Sequence, residues 1–272
     1  MTQQTATAPT VITEAPFHPS LAVTDLARAK AWYADKLGWE PMIEPPETLV
    51  YQVGDSFFTL YTSEFAGTAK NTVMNWTVPD VRAEVPRLRG RGVTFEDYDF
   101  GEIRTEDGIM ADPSGGLTAW FKDPDGNTIG LISGGPDAPA GIPDSGVSGM
   151  IAASDLGRAR AWYEGKLGFE PVFEMVGVVV NYRSGDSTFT VYQTEFAGTA
   201  KNTVGIWRLK GIRDEVARLR EAGIEFEEYD FGPEGRTVDG ILTDDEGDAN
   251  AWFKDSEGNI LALAEDRGGL GV

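Results

Sequence analysis

"LAVTDLARAKAWYADKLGWEP", residues 21–41, holds the end of one element, the whole of a second and the start of a third. Residues 19–25, PSLAVTD, read as a short, partly alternating strand ending on Asp25, a residue suited to cap the helix that follows. Across residues 26–38 the side chains of Leu26, Ala29, Tyr33 and Leu37 fall near helical spacing and form one stripe to bury, and Gly38 stops the helix.

The same passage returns. LARAKAWYADKLGWEP (26–41) answers to LGRARAWYEGKLGFEP (156–171), and EFAGTAKNTV occurs letter for letter at 64–73 and 195–204. GDSFFTLY (54–61) matches GDSTFTVY (185–192), and AWFKDPDGN (119–127) matches AWFKDSEGN (251–259). A repeat this long is a duplicated domain, because solenoid repeats run to about 20–50 residues. Two domains of roughly 115–120 residues can each bury a core. The expected layout is a disordered leader over 1–16, a first domain over 17–133, a linker over 134–146 rich in Gly and Pro, a second domain over 147–265 and a tail over 266–272.

Further elements complete each half. Strands are expected at 49–54, 56–63 and 72–80, a helix at 81–92, and three more strands at VTFEDYDF (93–100), GGLTAWFKD (115–123) and NTIGLIS (127–133). Each domain is thus two modules of strand, helix and strands, an α+β pattern. The decapeptide is the crossing between modules, since its AGTAKN core suits a turn.

Composition narrows the function. The chain is 41% hydrophobic and 25% charged, the balance of a globular protein. It has no cysteine, which excludes thiolate catalysis and Cys-ligated metals. The net charge of −21 is spread over both halves: 10 Lys+Arg against 20 Asp+Glu through Asp137, and 13 against 24 beyond it. Such a field repels nucleic acid and anionic membranes and attracts cations. No stretch nears the roughly 20 apolar residues of a membrane span, and the first residues lack a signal-peptide pattern; a cytoplasmic location is expected.

The double motif, LAVTDLARAKAWYADKLGWEP with FKDPDGNTIGLI downstream, resembles the vicinal-oxygen-chelate superfamily of glyoxalase I, bleomycin-resistance proteins, fosfomycin-resistance enzymes and extradiol dioxygenases. The resemblance covers both halves. It implies two tandem glyoxalase/bleomycin-resistance-type domains of paired βαβββ modules, each sheet curling around a cavity. It also implies a pseudo-dimer within one chain, equivalent to the homodimer of single-domain relatives, so that a monomer would be complete.

Metal-dependent relatives carry His or Glu at four cavity-facing strand positions. Carried over, these are His18, Thr59, Val73 and Gly130 in the first half, and Ser148, Thr190, Val204 and Ala262 in the second. His18 is the only histidine. A two-His-one-carboxylate iron site or a His/Glu/His/Glu site needs at least two imidazoles, so neither a metal nor another cofactor is expected. The acid pairs Glu96/Asp97 and Glu227/Glu228 sit on neighbouring strand positions that face opposite ways, and share no site.

A small-molecule cavity remains. The candidate lining residues are His18, Ser20, Thr59, Tyr61, Asn75 and Trp120 in one half, and Ser148, Met150, Thr190, Tyr192, Arg208 and Trp252 in the other. Trp120 and Trp252 could equally fill the core against the helices. Three readings stay open. The first is a metal-free protein that binds or sequesters an aromatic or cationic small molecule; the second is a lyase, isomerase or dioxygenase-like enzyme, and the third a structural module with a vestigial pocket. No catalytic residue is assigned.

Overall fold

The computed structural model describes residues 9–100, 103–113, 115–134 and 146–266. The first module runs β1 (Phe17–Val23), α1 (Leu26–Trp32), β2 (Pro41–Ile43), β3 (Thr48–Val53) and β4 (Ser56–Thr62). The second runs β5 (Thr72–Thr77), α2 (Val81–Gly90), a two-stranded ribbon of β6 (Asp99–Phe100) and β7 (Ile103–Arg104), then β8 (Ile109–Ala111), β9 (Leu117–Lys122) and β10 (Thr128–Ser133). The third has β11 (Gly146–Ala153), α3 (Leu156–Trp162), β12 (Pro171–Met175), β13 (Val179–Ser184) and β14 (Ser187–Gln193). The fourth has β15 (Thr203–Arg208), α4 (Ile212–Glu221), β16 (Ile241–Thr243), β17 (Ala249–Lys254) and β18 (Ile260–Glu265).

The helix starts follow from the sequence. Asp25 accepts the Arg28 amide at 2.9 Å and Asp155 accepts that of Arg158 at 2.9 Å, satisfying first-turn donors that have no partner inside the helix. Both helices continue as a wider π turn, Tyr33–Leu37 and Tyr163–Leu167, closed by Gly38 and Gly168 at φ 78° and 81°. In the expected stripe Ala29, Tyr33 and Leu37 are buried, with Leu26 half-exposed.

The strands form two eight-stranded sheets, and each draws on both halves of the sequence. One sheet is ordered β16-β17-β18-β15-β1-β4-β3-β2, joining the first and fourth modules; the other, β12-β13-β14-β11-β5-β10-β9-β8, joins the third and second. The seams are antiparallel, with Phe17 opposite Trp207 and His18 opposite Ile206 in one, and Ser148 opposite Asn75 in the other. Modules from the same half meet instead through their helix-side cores. Trp39 packs edge-on against Trp76 at 4.7 Å, Tyr33 donates to Asp123 at 3.2 Å, and Tyr163 donates to Asp255 at 2.9 Å.

Phe17 occupies the middle of the seam, 4.8 Å from Trp207 and 5.0 Å from Phe189. It fits because Gly149 and Gly205 face it: a Cβ on either would lie 2.1 or 1.9 Å from its ring. Their counterparts in the repeat are Pro19 and Met74.

Two expectations need correction. VTFEDYDF does not form a strand across 93–100. Phe95 bridges to Phe121 and Asp99–Phe100 pair only with β7 in the short ribbon, because between them Asp97 Oδ1 accepts from the Gly108 amide at 2.9 Å and the Thr105 hydroxyl at 3.0 Å, holding this backbone out of the ladder. The third strand of the set is β8. Residues 9–16, expected within the disordered leader, pack onto the second half: Ile12 and Ala15 are fully buried, Lys210 donates to the Pro9 carbonyl, and the Ile12 amide donates to buried Glu215. Residues 1–8, nearly all of the linker and residues 267–272 lie outside the described residues.

Candidate functional site

Residues paired across a sheet point the same way, so the register alone gives the lining of each concave face. In the sheet of the first and fourth modules, Ser20 pairs with Thr59, Ala22 with Tyr61, His18 with Ile206, Ile206 with Ala262, and Ala262 with Trp252. In the other sheet Met150 pairs with Thr190, Ala152 with Tyr192, Ser148 with Asn75, Asn75 with Gly130, and Gly130 with Trp120. We refer to these inner faces of the two curled sheets as the first and the second hollow.

The candidate residues are therefore regrouped. His18, Ser20, Thr59 and Tyr61 share the first hollow with Arg208 and Trp252 of the other half, and Ser148, Met150, Thr190 and Tyr192 share the second with Asn75 and Trp120. The four positions taken from the resemblance are likewise divided across the seam, giving His18, Thr59, Val204 and Ala262 in one hollow and Ser148, Thr190, Val73 and Gly130 in the other. One imidazole and one hydroxyl in the first set, and two hydroxyls in the second, do not fit the nitrogen and carboxylate shell a zinc, nickel or iron ion takes. Among the described residues no three His, Asp or Glu side chains gather.

The first hollow is built on β1, whose residues are all buried. His18 is 2% exposed and Ser20 1%, yet His18 Nδ1 and Ser20 Oγ have no hydrogen-bond partner. Burial, and next the nearby Arg208 charge, lower the His18 pKa to about 3, so the imidazole is neutral near pH 7. Arg208 pairs through Nη1 with Asp266 at the end of β18, and its Nε is buried without a partner. Phe57 stands 5.7 Å from His18. On the other flank Trp252 contacts Tyr229 at 5.6 Å and Phe231 at 5.7 Å. Trp120 and Trp252 face the hollows, and it is their neighbours Phe121 and Phe253 that stack on the helix residues Trp32 and Trp162.

Tyr61 and Tyr192 do not offer free hydroxyls. Tyr61 reaches over Ala22 and donates to the Thr203 carbonyl at 3.2 Å; Tyr192 reaches over Ala152 to Thr72, accepting from its amide at 2.9 Å. Burial pushes both pKa values up to about 12. They tie β4 to β15 and β14 to β5 across the seams. In the second hollow Asn75 Nδ2 lies 3.0 Å from Met150 Sδ, and Thr190 donates to Asn181 at 2.9 Å.

The acid pairs are engaged elsewhere. Glu96 pairs with Lys122 and Glu227 with Lys254, while Asp97 and Glu228 take loop amides, so neither acid pair shares a site. A surface depression of about 360 Å³ beside α3 includes Arg160, Glu174 and Gln193, which already bond one another or Ser154. Sequence reasoning missed Asp266, which fell in the expected tail, and the aromatic trio of Phe57, Tyr229 and Phe231. Alternation from Thr59 would have reached Phe57; the other two sit on a loop with no such period.

Residues 15–131 match the Glyoxalase/Bleomycin resistance protein/Dioxygenase superfamily. Among solved structures the chain is similar to glyoxalase I from Zea mays, at 15% identity and a TM-score of 0.64, covering 94% of this chain and 92% of that one. The V278E mutant of that enzyme gives 16% identity and a TM-score of 0.63 over 94% and 92%. Identity this low speaks for the fold alone. A comparison with curated proteins finds no match.

Proposed function

We propose, from a chain whose residues 15–131 match the Glyoxalase/Bleomycin resistance protein/Dioxygenase superfamily and whose second half repeats them, a protein that binds a small aromatic molecule without the metal centre the resemblance implies for metal-dependent members. The observation that carries this reading is the chemistry at the four strand positions: His18, Thr59, Val204 and Ala262 offer one nitrogen donor where a metal shell needs several. Around them the hollow keeps the attributes of a small-molecule site, with aromatic flanks and a few polar groups. An aromatic ligand matches the flanks of Phe57 and Trp252. A cationic ligand matches the acidic exterior but would meet the Arg208 guanidinium inside the first hollow.

Among the described residues no helix is long and apolar enough to cross a membrane. The proposed protein acts as one chain and needs no nucleic acid. Elemental analysis of the purified chain should find nickel, zinc, iron and manganese far below one atom per chain; a stoichiometric ion would overturn the reading in favour of a lyase, isomerase or dioxygenase. A thermal-shift screen of aromatic compounds supplies the positive test, because a ligand at about 100 times its Kd adds about 2.7 kcal/mol of stability.

A further inference from the structure

Resting on that binding reading, we infer that the two hollows have parted in role: only the first holds a ligand, and the ligand is an uncharged, hydroxylated aromatic carbonyl compound. Three buried polar atoms of the first hollow lack partners, His18 Nδ1, Ser20 Oγ and Arg208 Nε. Buried polar groups are nearly always hydrogen-bonded, and leaving one unmet is costly, so three on one face mark groups that a ligand satisfies. Among the described residues the second hollow has none beyond Asn71 Oδ1, whose counterpart Asn202 Oδ1 is equally unpartnered in the first. Met150 stands where the first hollow has Ser20, its sulfur meets Asn75, and Thr190 is met by Asn181. The unpartnered Asn71 and Asn202 oxygens occur at matching places in both copies and do not distinguish the hollows.

The charge and spacing of the row define the ligand. Arg208 is already neutralised by Asp266, and His18 is neutral. A carboxylate would enter a chain of net charge −21 beside a guanidinium already paired with Asp266, and an ammonium would face that guanidinium. A carbonyl oxygen accepts from Arg208 Nε–H without adding charge. Because His18 is opposite Ile206, Arg208 stands diagonally across the seam from it, about 7–8 Å, roughly the span between the two oxygens of a para-substituted ring. A ring hydroxyl both donates and accepts, so it serves His18 Nδ1 in either imidazole tautomer. Phe57 and Trp252 flank the ring, and Ser20 continues the row beyond His18.

The test is calorimetric titration of the full chain at pH 7 with 4-hydroxyacetophenone, 4-hydroxybenzoate and tyramine, which share a ring and differ in charge. The ketone should bind with a stoichiometry of one per chain, roughly tenfold or more tighter than either ion. Ser20→Met, which installs the residue of the second hollow, should abolish binding, and the pair Arg208→Met with Asp266→Asn should weaken it roughly tenfold. Asn75→Ala and Thr190→Ala should leave it unchanged. Circular dichroism verifies that each variant is folded, and Ser20→Met decides the matter if the Arg208 pair is not. Two ligands per chain, sensitivity at Asn75 or Thr190 instead of Ser20, or preference for an ion would sink this inference while leaving small-molecule binding intact. Silence from all three probes overturns the ligand class, and silence across the aromatic screen as well overturns the binding reading itself.

Discussion

The Lys70 amide donates to the Thr199 hydroxyl at 3.2 Å, and its repeat equivalent, the Lys201 amide, donates to the Thr68 hydroxyl at 3.2 Å. The two copies of EFAGTAKNTV thus grip each other reciprocally. The reciprocity gives a physical reason to keep the threonine in both copies: each hydroxyl accepts from the other copy's backbone amide, so loss of either threonine breaks a bond between them.

Thr68→Val and Thr199→Val are each expected to lower stability by about 0.5–1 kcal/mol, the usual net worth of a hydrogen bond, without altering ligand binding. Urea denaturation of the single and double variants measures this. A double variant as stable as wild type would show the contact to be idle.

Gly205→Ala should destabilise by about 2 kcal/mol, since its methyl would stand 1.9 Å from a Phe17 ring held between Trp207 and Phe189. Adding Phe17→Val, the residue of the matching position 147, should recover part of that loss. Denaturation midpoints of the two single variants and the pair test the coupling.

As the only imidazole in the chain, His18 gives NMR an unambiguous signal. Its ring resonances should remain those of a neutral imidazole from pH 8 down to about pH 4, given a pKa lowered to about 3. A midpoint near 6.5 would mean that water reaches the ring freely.

The same group shapes stability. His18 titrates near 6.5 when unfolded and about 3 when folded, so its contribution is present above pH 6.5 and drains away as pH falls toward 3. Burial raises Asp123 from 3.8 to about 6, which works in the other direction: its contribution is present below 3.8 and lost as pH rises through 6. Wild-type stability minus that of His18→Gln should therefore grow as pH climbs from about 3 to 6.5, in urea titrations at each pH. In the variant the opposing Asp123 trend is no longer masked by His18 between pH 4 and 6.

Much of the fold was legible in the sequence. Asp25, Gly38 and their repeats bounded the helices, and alternation along β1 put His18 and Ser20 on one face. The pairing of modules across the halves was not legible, for a specific reason. β1 resembles β11 and β5 resembles β15, so β1 beside β5 and β1 beside β15 are nearly the same local match. Phe17 breaks the tie, because Gly205 and Gly149 leave room for its ring and Met74 and Pro19 stand in their places in the repeat. Residues 93–100 misled because alternating apolar residues there compete with an aspartate that binds loop amides. Asp266 was missed because nothing in a tail composition announces a partner for an arginine 58 residues earlier.

Because each sheet is stitched from both halves of one polypeptide, covalent fusion frees the two inner faces from symmetry. Two separate copies of one half would be obliged to repeat every substitution in both chambers. Here a histidine, a serine and an arginine stand on one side and a methionine on the other, and neither set is echoed across the repeat. The tether lets two unlike faces stand on one repeated pattern.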